Sequence, residues 1–233
     1  MIKTVNIRNY KSVQSLDLDC SRYNVFIGDT STGKSNILEA LSLFSQNNMR
    51  TNANGFRNAF DDRIIRYDRL SELFTDADTT KPLEVDADDM RLSVTFQPAS
   101  NTFHVDIQDE NGARSAFDFQ SEGNRLGTPS GDLVNTRFRR YQYDGNVKFG
   151  PLQFPHLAAS DGNNLSAVLL NNPGLLSEID EIMSAKDIYN SIDRDTYRIS
   201  QRIDITRNVS VHLSWATISE TIKRYVFLYV AIR

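Results

Sequence analysis

The chain has 233 residues, 39% hydrophobic and 24% charged, which is enough for one sizeable core within the size range of a single globular unit. A formal charge of −4 excludes the overall basic excess of a nucleic-acid binder, and a single cysteine, Cys20, excludes an internal disulfide. The opening MIKTVNIRNYKS lacks the apolar run of a leader, and the longest apolar stretch, Tyr225 to Ile232, falls far short of the ~18 residues of a membrane span, so a cytoplasmic protein with no membrane attachment is expected.

In chain order, IKTVNIR and VQSLDLD alternate apolar and polar residues around NYKS, which predicts an opening hairpin. YNVFI predicts a third strand running into Gly28, and KSNILEALSLF carries Ile37, Leu38, Leu41 and Phe44 at helical spacing. Residues 1–47 thus read as hairpin, loop and helix. Residues 57–74, RNAFDDRIIRYDRLSELF, fit one amphipathic helix. Residues 83–145 read as an antiparallel β region: RLSVTFQ, TFHVDIQ and SAFDFQ are short strands, with Asn111-Gly112 as a hairpin turn between the last two. The glycine-rich Ser121–Asp132 segment predicts an exposed loop, followed by a strand over TRFRRYQY. Residues 156–233 read as a helical lobe: SDGNNLSAVLL and PGLLSEIDEIM are helical patterns, YRISQRIDI and VSVHLSW strands, and Ser219–Ile232 a closing helix.

The chemistry concentrates at Gly28-Asp29-Thr30-Ser31-Thr32-Gly33-Lys34-Ser35, which fits GxxxxGK[S/T], the Walker A pattern. Two glycines let successive N–H groups turn inward around phosphate. Lys34 is expected to pair with the β- and γ-phosphates of ATP, Ser35 to offer its hydroxyl to Mg²⁺, and the following helix, with Asn36 in its first turn, to point its positive end at the same charge.

IRNYKSV followed by YNVFIGDTSTGKSNILEAL resembles the opening of the RecF, SMC and OLD-like branch of the ABC-type ATPases, and HLAASDGNNLSAVLL resembles a DGxNLAAVL stretch of that branch. The resemblance implies an α/β P-loop NTPase head with an antiparallel β-subdomain, binding ATP and Mg²⁺ and acting as a homodimer or with a complementary C-terminal half. ISETIKRYVFLYVAI resembles the signature helix, so that Ser219, Glu220 and Thr221 align with the Ser, Asp and Gly that face a second subunit's nucleotide; Thr221 stands where the family has glycine. The same residues also suit an ordinary helix capped by Ser219. The resemblance further aligns Gln142 with the Q-loop residue. Thr30 and Ser31 replace the family's Asn and Gly.

In that family a Walker B strand ending in Asp-Glu follows the signature helix, where this chain reaches Arg233. The implied head therefore lacks its C-terminal part, and brisk hydrolysis is expected only in company. Asp180-Glu181 falls in a helical pattern and Asp109-Glu110 on a hairpin arm, so neither suits the role. Two other readings stay open: a non-catalytic module whose nucleotide orders a partner-binding surface, and a small kinase using Arg137, Arg139 and Arg140 as a lid. DNA binding is conceivable at those arginines or across Arg57 to Arg69, but the interleaved Asp61, Asp62 and Asp68 favour a salt-bridged surface. His104, His156 and His212 are too dispersed for a metal or a triad.

Overall fold

The computed structural model describes residues 2–45, 64–123, 125–131, 138–145, 147–151, 156–158, 161–184 and 188–233. These form two compact units, 1–139 and 140–233.

The first unit is built on a seven-stranded antiparallel sheet in the order β2-β1-β3-β4-β5-β6-β7, comprising β1 (Thr4–Tyr10), β2 (Val13–Asp19), β3 (Leu83–Ala87), β4 (Met90–Gln97), β5 (Thr102–Gln108), β6 (Arg114–Gln120) and β7 (Arg125–Gly131). Alternation decides which face is buried. Val5 and Ile7, Leu83 and Val85, Leu92 and Val94, Val105 and Ile107 all turn one way, into a core closed by helix α1 (Lys34–Ser45). From α1, which packs on β1 and β3, Ala40, Leu43 and Phe44 are fully buried, and Phe44 stacks on Phe138 at 4.6 Å between ring centroids. The predicted hairpin turn at Asn111-Gly112 is present, with the Asp109 carboxylate accepting the Asn111 and Ala113 N–H groups.

The second unit has its own core. A three-stranded sheet, β10-β9-β8, comprises β8 (Ile188–Ile192), β9 (Ile199–Thr206) and β10 (Val209–Ser214), beside helices α2 (Leu165–Asn171), α3 (Pro173–Ser184) and α4 (Glu220–Ile232). From α4, Val226, Phe227 and Val230 are buried, while Leu228 and Ile232 stay exposed. Asp180 on α3 accepts two hydrogen bonds from Asn190, so it serves packing, as its helical spacing predicts. Among the described residues no helix is long and apolar enough to cross a membrane, and no group of three His, Cys, Asp or Glu is placed to hold a metal ion.

Four expectations are corrected. YNVFI is not a strand: residues 23–27 pair with none of the described strands, and Val25 and Ile27 are 80% and 90% exposed. An apolar run becomes a buried strand only where neighbours supply hydrogen bonds on both edges, and local sequence carries no information on that. The helix predicted over 57–74 lies outside the described residues up to position 63; beyond it, only a short 3₁₀ turn at Leu70–Leu73 forms. There the backbone is spent on tertiary bonds, Leu70 N–H to the Ser121 carbonyl and Lys11 N–H to the Leu73 carbonyl, while Ile64, Ile65, Leu70, Leu73 and Phe74 enter the core.

The glycine-rich segment predicted as a loop contains β7, an edge strand. Edge pairing needs backbone rather than apolar side chains, and Pro129 and the glycines are tolerated there. Gly131, at φ 94°, lies so close to β6 that an added Cβ would sit 1.9 Å from the Arg114 carbonyl oxygen. Finally, the described part of TRFRRYQY makes only an isolated bridge at Tyr141. Tyr141 and Tyr143 turn inward onto Phe227, and the Tyr141 hydroxyl donates to the Leu157 carbonyl, so the alternation reflects packing without a ladder.

Candidate nucleotide-binding site

The loop from Gly28 to Gly33 enters α1 at Lys34. Its shape rests on two residues in the left-handed region, Ser31 at φ 66° and Gly33 at φ 87°. Glycine adopts that conformation freely, whereas serine is strained in it. Gly28 is needed for space, because a Cβ there would crowd the Thr32 hydroxyl at 3.1 Å and approach the Lys34 ammonium at 3.9 Å.

The Lys34 ammonium curls over the loop, donating to the Gly28 carbonyl at 2.7 Å, the Asp29 carbonyl at 2.5 Å and the Thr32 hydroxyl at 3.1 Å. Thr32 in turn donates to the Asp29 carbonyl at 2.9 Å. Thus Gly28, Asp29, Thr32 and Lys34 lie together in the loop, and the exposed Ser35 hydroxyl stands in the first turn of α1. This set fits a nucleotide phosphate: an ammonium stands over the loop at the start of α1, and its present partners are neutral carbonyls and a hydroxyl, which an anion outcompetes. For Ser31, valine is the informative change. A β-branched side chain in the left-handed region adds about 1–2 kcal/mol of strain, so Ser31→Val is expected to weaken ADP binding about tenfold in a calorimetric titration. Ser31→Gly should change it less than about threefold, since the loop geometry already suits glycine.

Asn36 is committed elsewhere. Its Nδ2 donates to the Ser12 hydroxyl at 2.8 Å, so it joins the loop to the β1–β2 turn. Behind α1, Glu39 is 3% exposed although charged. It accepts from the Lys11 ammonium at 2.5 Å and from the Arg66 guanidinium at 2.8 Å, with the Tyr10 hydroxyl at 3.4 Å. Burial first, and the Glu39 charge second, hold the Tyr10 hydroxyl well above its ordinary value. Sequence reading treats NYKS only as a turn and assigns Glu39 no role. A charged residue at a helix position flanked by Leu38, Ala40 and Leu41 was the available signal.

Ser219, Glu220 and Thr221 lie in the second unit, exposed at the start of α4. Ser219 is the N-cap residue by position, yet its side chain makes no capping bond; its carbonyl receives the Ile222 and Lys223 N–H groups. The Glu220 carboxylate reaches the nearly buried Lys223 ammonium at 3.4 Å and the Arg224 guanidinium at 3.9 Å. It also abuts Gly145, where a Cβ would sit 3.0 Å from it. Burial and then the Glu220 charge push the Tyr143 hydroxyl up to about 12. Gln142 is exposed and outside any strand, so its predicted strand setting is absent. Of the lid candidates, Arg137 lies outside the described residues and Arg139 is exposed. Arg66, from the mixed-charge run, is paired with Glu39.

A glycine-framed loop feeding a helix beside an antiparallel sheet defines an α/β P-loop protein. The chain belongs to the AAA ATPase domain family, which it matches over residues 1–211. Comparison with curated proteins returned no match. Among solved structures 18 chains match. One is an SMC ATPase, described in terms of ATP-driven dimerization and DNA-stimulated activation, with 14% identity and a TM-score of 0.28 over 54% of this chain and 72% of that one. Another is the recombination mediator protein RecF with ATP, of the RecFOR pathway, with 16% identity and a TM-score of 0.29 over 79% of this chain. That match spans 46% of the RecF chain.

Proposed function

We propose that the chain is an ATP-binding domain of the RecF/SMC/OLD-like class. In this reading residues Gly28 to Asn36 form the phosphate loop, Lys34 pairs with the β- and γ-phosphates, and Ser35 offers its hydroxyl to Mg²⁺. The observation that carries it is the Lys34 ammonium standing over a loop shaped by left-handed Ser31 and Gly33. The bound metal nucleotide supplies an activated phosphoanhydride; the chain's own residues bind it, orient it and neutralise its charge.

Hydrolysis, in this proposal, depends on a Walker B carboxylate arriving on a strand beside residues 23–27, together with head-to-head dimerisation through Ser219–Thr221. The exposed, unpaired state of Val25 and Ile27 supports the first condition. A second reading, a regulatory module that binds nucleotide without turning it over, is favoured by Thr221 in place of the signature glycine. Titrating ADP and ATP while following turnover and oligomeric state tests both. ATP-selective dimerisation supports the first, and equal affinities with no change in assembly support the second. Brisk turnover by the isolated chain, lost in Lys34→Ala, removes the need for an added carboxylate.

A further inference from the structure

The phosphate loop is fixed to the sheet through the opposite hairpin. On its upstream side residues 23–27 pair with none of the described strands, so that flank is not tied to the sheet through a described ladder. The β1–β2 turn, by contrast, is over-determined. Lys11 N–H donates to the Leu73 carbonyl at 2.9 Å, Asn9 Nδ2 donates to the Lys81 carbonyl at 3.1 Å, and Thr75 N–H donates to Asn9 Oδ1 at 3.1 Å. Asn9 and Lys11 both hold left-handed conformations, at φ 56° and 47°, which survive only because the surroundings impose them. The Lys11 ammonium is anchored to Glu39 of α1 and to the Arg66 carbonyl.

Out of this rigid turn the Ser12 hydroxyl faces the loop. It accepts the Asn36 Nδ2 bond at 2.8 Å and lies 3.0 Å from where a Gly33 Cβ would be, with the Val13 methyl behind it at 3.9 Å. We infer that Ser12 is a positioning residue for nucleotide binding: through Asn36 and by direct contact with Gly33 it fixes where the last loop amides and the start of α1 point. This rests on the nucleotide-binding reading above. It adds that the phosphate grip is set from outside the motif, by a turn about twenty residues upstream. Among the described residues other than its chain neighbours, an added Cβ at Gly33 would meet Ser12 and Val13 within 4 Å, so this contact walls that side of the loop.

The test combines binding with amide exchange in the nucleotide-free protein. Ser12→Ala is expected to weaken ADP about fivefold, the worth of one ordinary hydrogen bond. Since Ser12 is exposed, the unfolding midpoint should hold within about 2 °C. Ser12→Thr, which keeps the hydroxyl, should restore wild-type affinity. Asn36→Ala should resemble Ser12→Ala, and the double variant should be no weaker than either, where independent effects would multiply to roughly 25-fold. Amide exchange across residues 30–36 should accelerate in Ser12→Ala with no nucleotide present. Unchanged affinity and exchange, a Ser12→Thr variant that behaves like Ser12→Ala, or a multiplicative double variant each overturn the inference. If the wild-type chain shows no Lys34-dependent binding, the nucleotide reading falls instead; exchange then decides alone, with acceleration sustaining the positioning role and constancy overturning it.

Discussion

Lys34→Ala is expected to reduce ADP and ATP affinity about 30- to 150-fold, because a charge-assisted hydrogen bond to phosphate is worth about 2–3 kcal/mol. Stability should move little. Among the described residues the ammonium is held by the Gly28 and Asp29 carbonyls and the Thr32 hydroxyl at the surface, so its removal frees groups that water can satisfy. Lys34→Arg should also fail, since the larger planar group does not fit over a loop in which even a Gly28 Cβ would crowd Thr32. Calorimetric titration with a parallel melting curve separates the effects. Loss of binding with an intact melt assigns Lys34 to the ligand, whereas retained affinity removes the phosphate grip from this loop.

The second large effect is on stability, at Glu39. Its carboxylate is 4% exposed and lies between the Lys11 ammonium, 14% exposed, and the Arg66 guanidinium, 70% exposed. Arg66→Ala should therefore cost no more than about 1 kcal/mol, as for a surface pair. Glu39→Ala strands the half-buried Lys11 cation and opens a gap beneath α1, with an expected loss of about 3 kcal/mol. For a chain of this size that lowers the melting midpoint of the first unit by on the order of 10 °C. The diagnostic variant replaces both partners: Glu39→Leu with Lys11→Met should recover most of the loss, because an apolar pair carries no desolvation cost. A double variant as unstable as Glu39→Ala would show that the tether to the Arg66 carbonyl, rather than the ion pair, sustains the packing.

What the sequence disclosed depends on whether the information is local. β4, β5 and β6, with the Asn111-Gly112 turn, follow from period-two alternation and turn chemistry written in adjacent residues. Helices α1, α3 and α4 follow from helical spacing in the same way. β3, at Leu83–Ala87, went unread because LEVDA is short and follows proline; its strand state comes from neighbours on both sides, β1 and β4. β7 was unread for the opposite reason, glycines and a proline that suggest a loop but are tolerated on an edge. At the candidate site, Gly28 to Ser35 was legible because the motif is contiguous. Ser12, Lys11, Glu39 and Arg66 were not, because their relation is made only when the hairpin folds onto α1.

The exposed segment at Val25 and Ile27 also bears on how the molecule behaves in bulk. An exposed apolar stretch outside the ladders of the described strands can template pairing with its own kind, and YNVFI carries no lysine or proline to discourage it. Encounter between two such stretches is bimolecular. The rate of loss of dispersed protein is therefore expected to scale with the square of concentration, so a dilute sample outlasts a concentrated one, and any segment that covered Val25 and Ile27 would act as a chaperone for the chain.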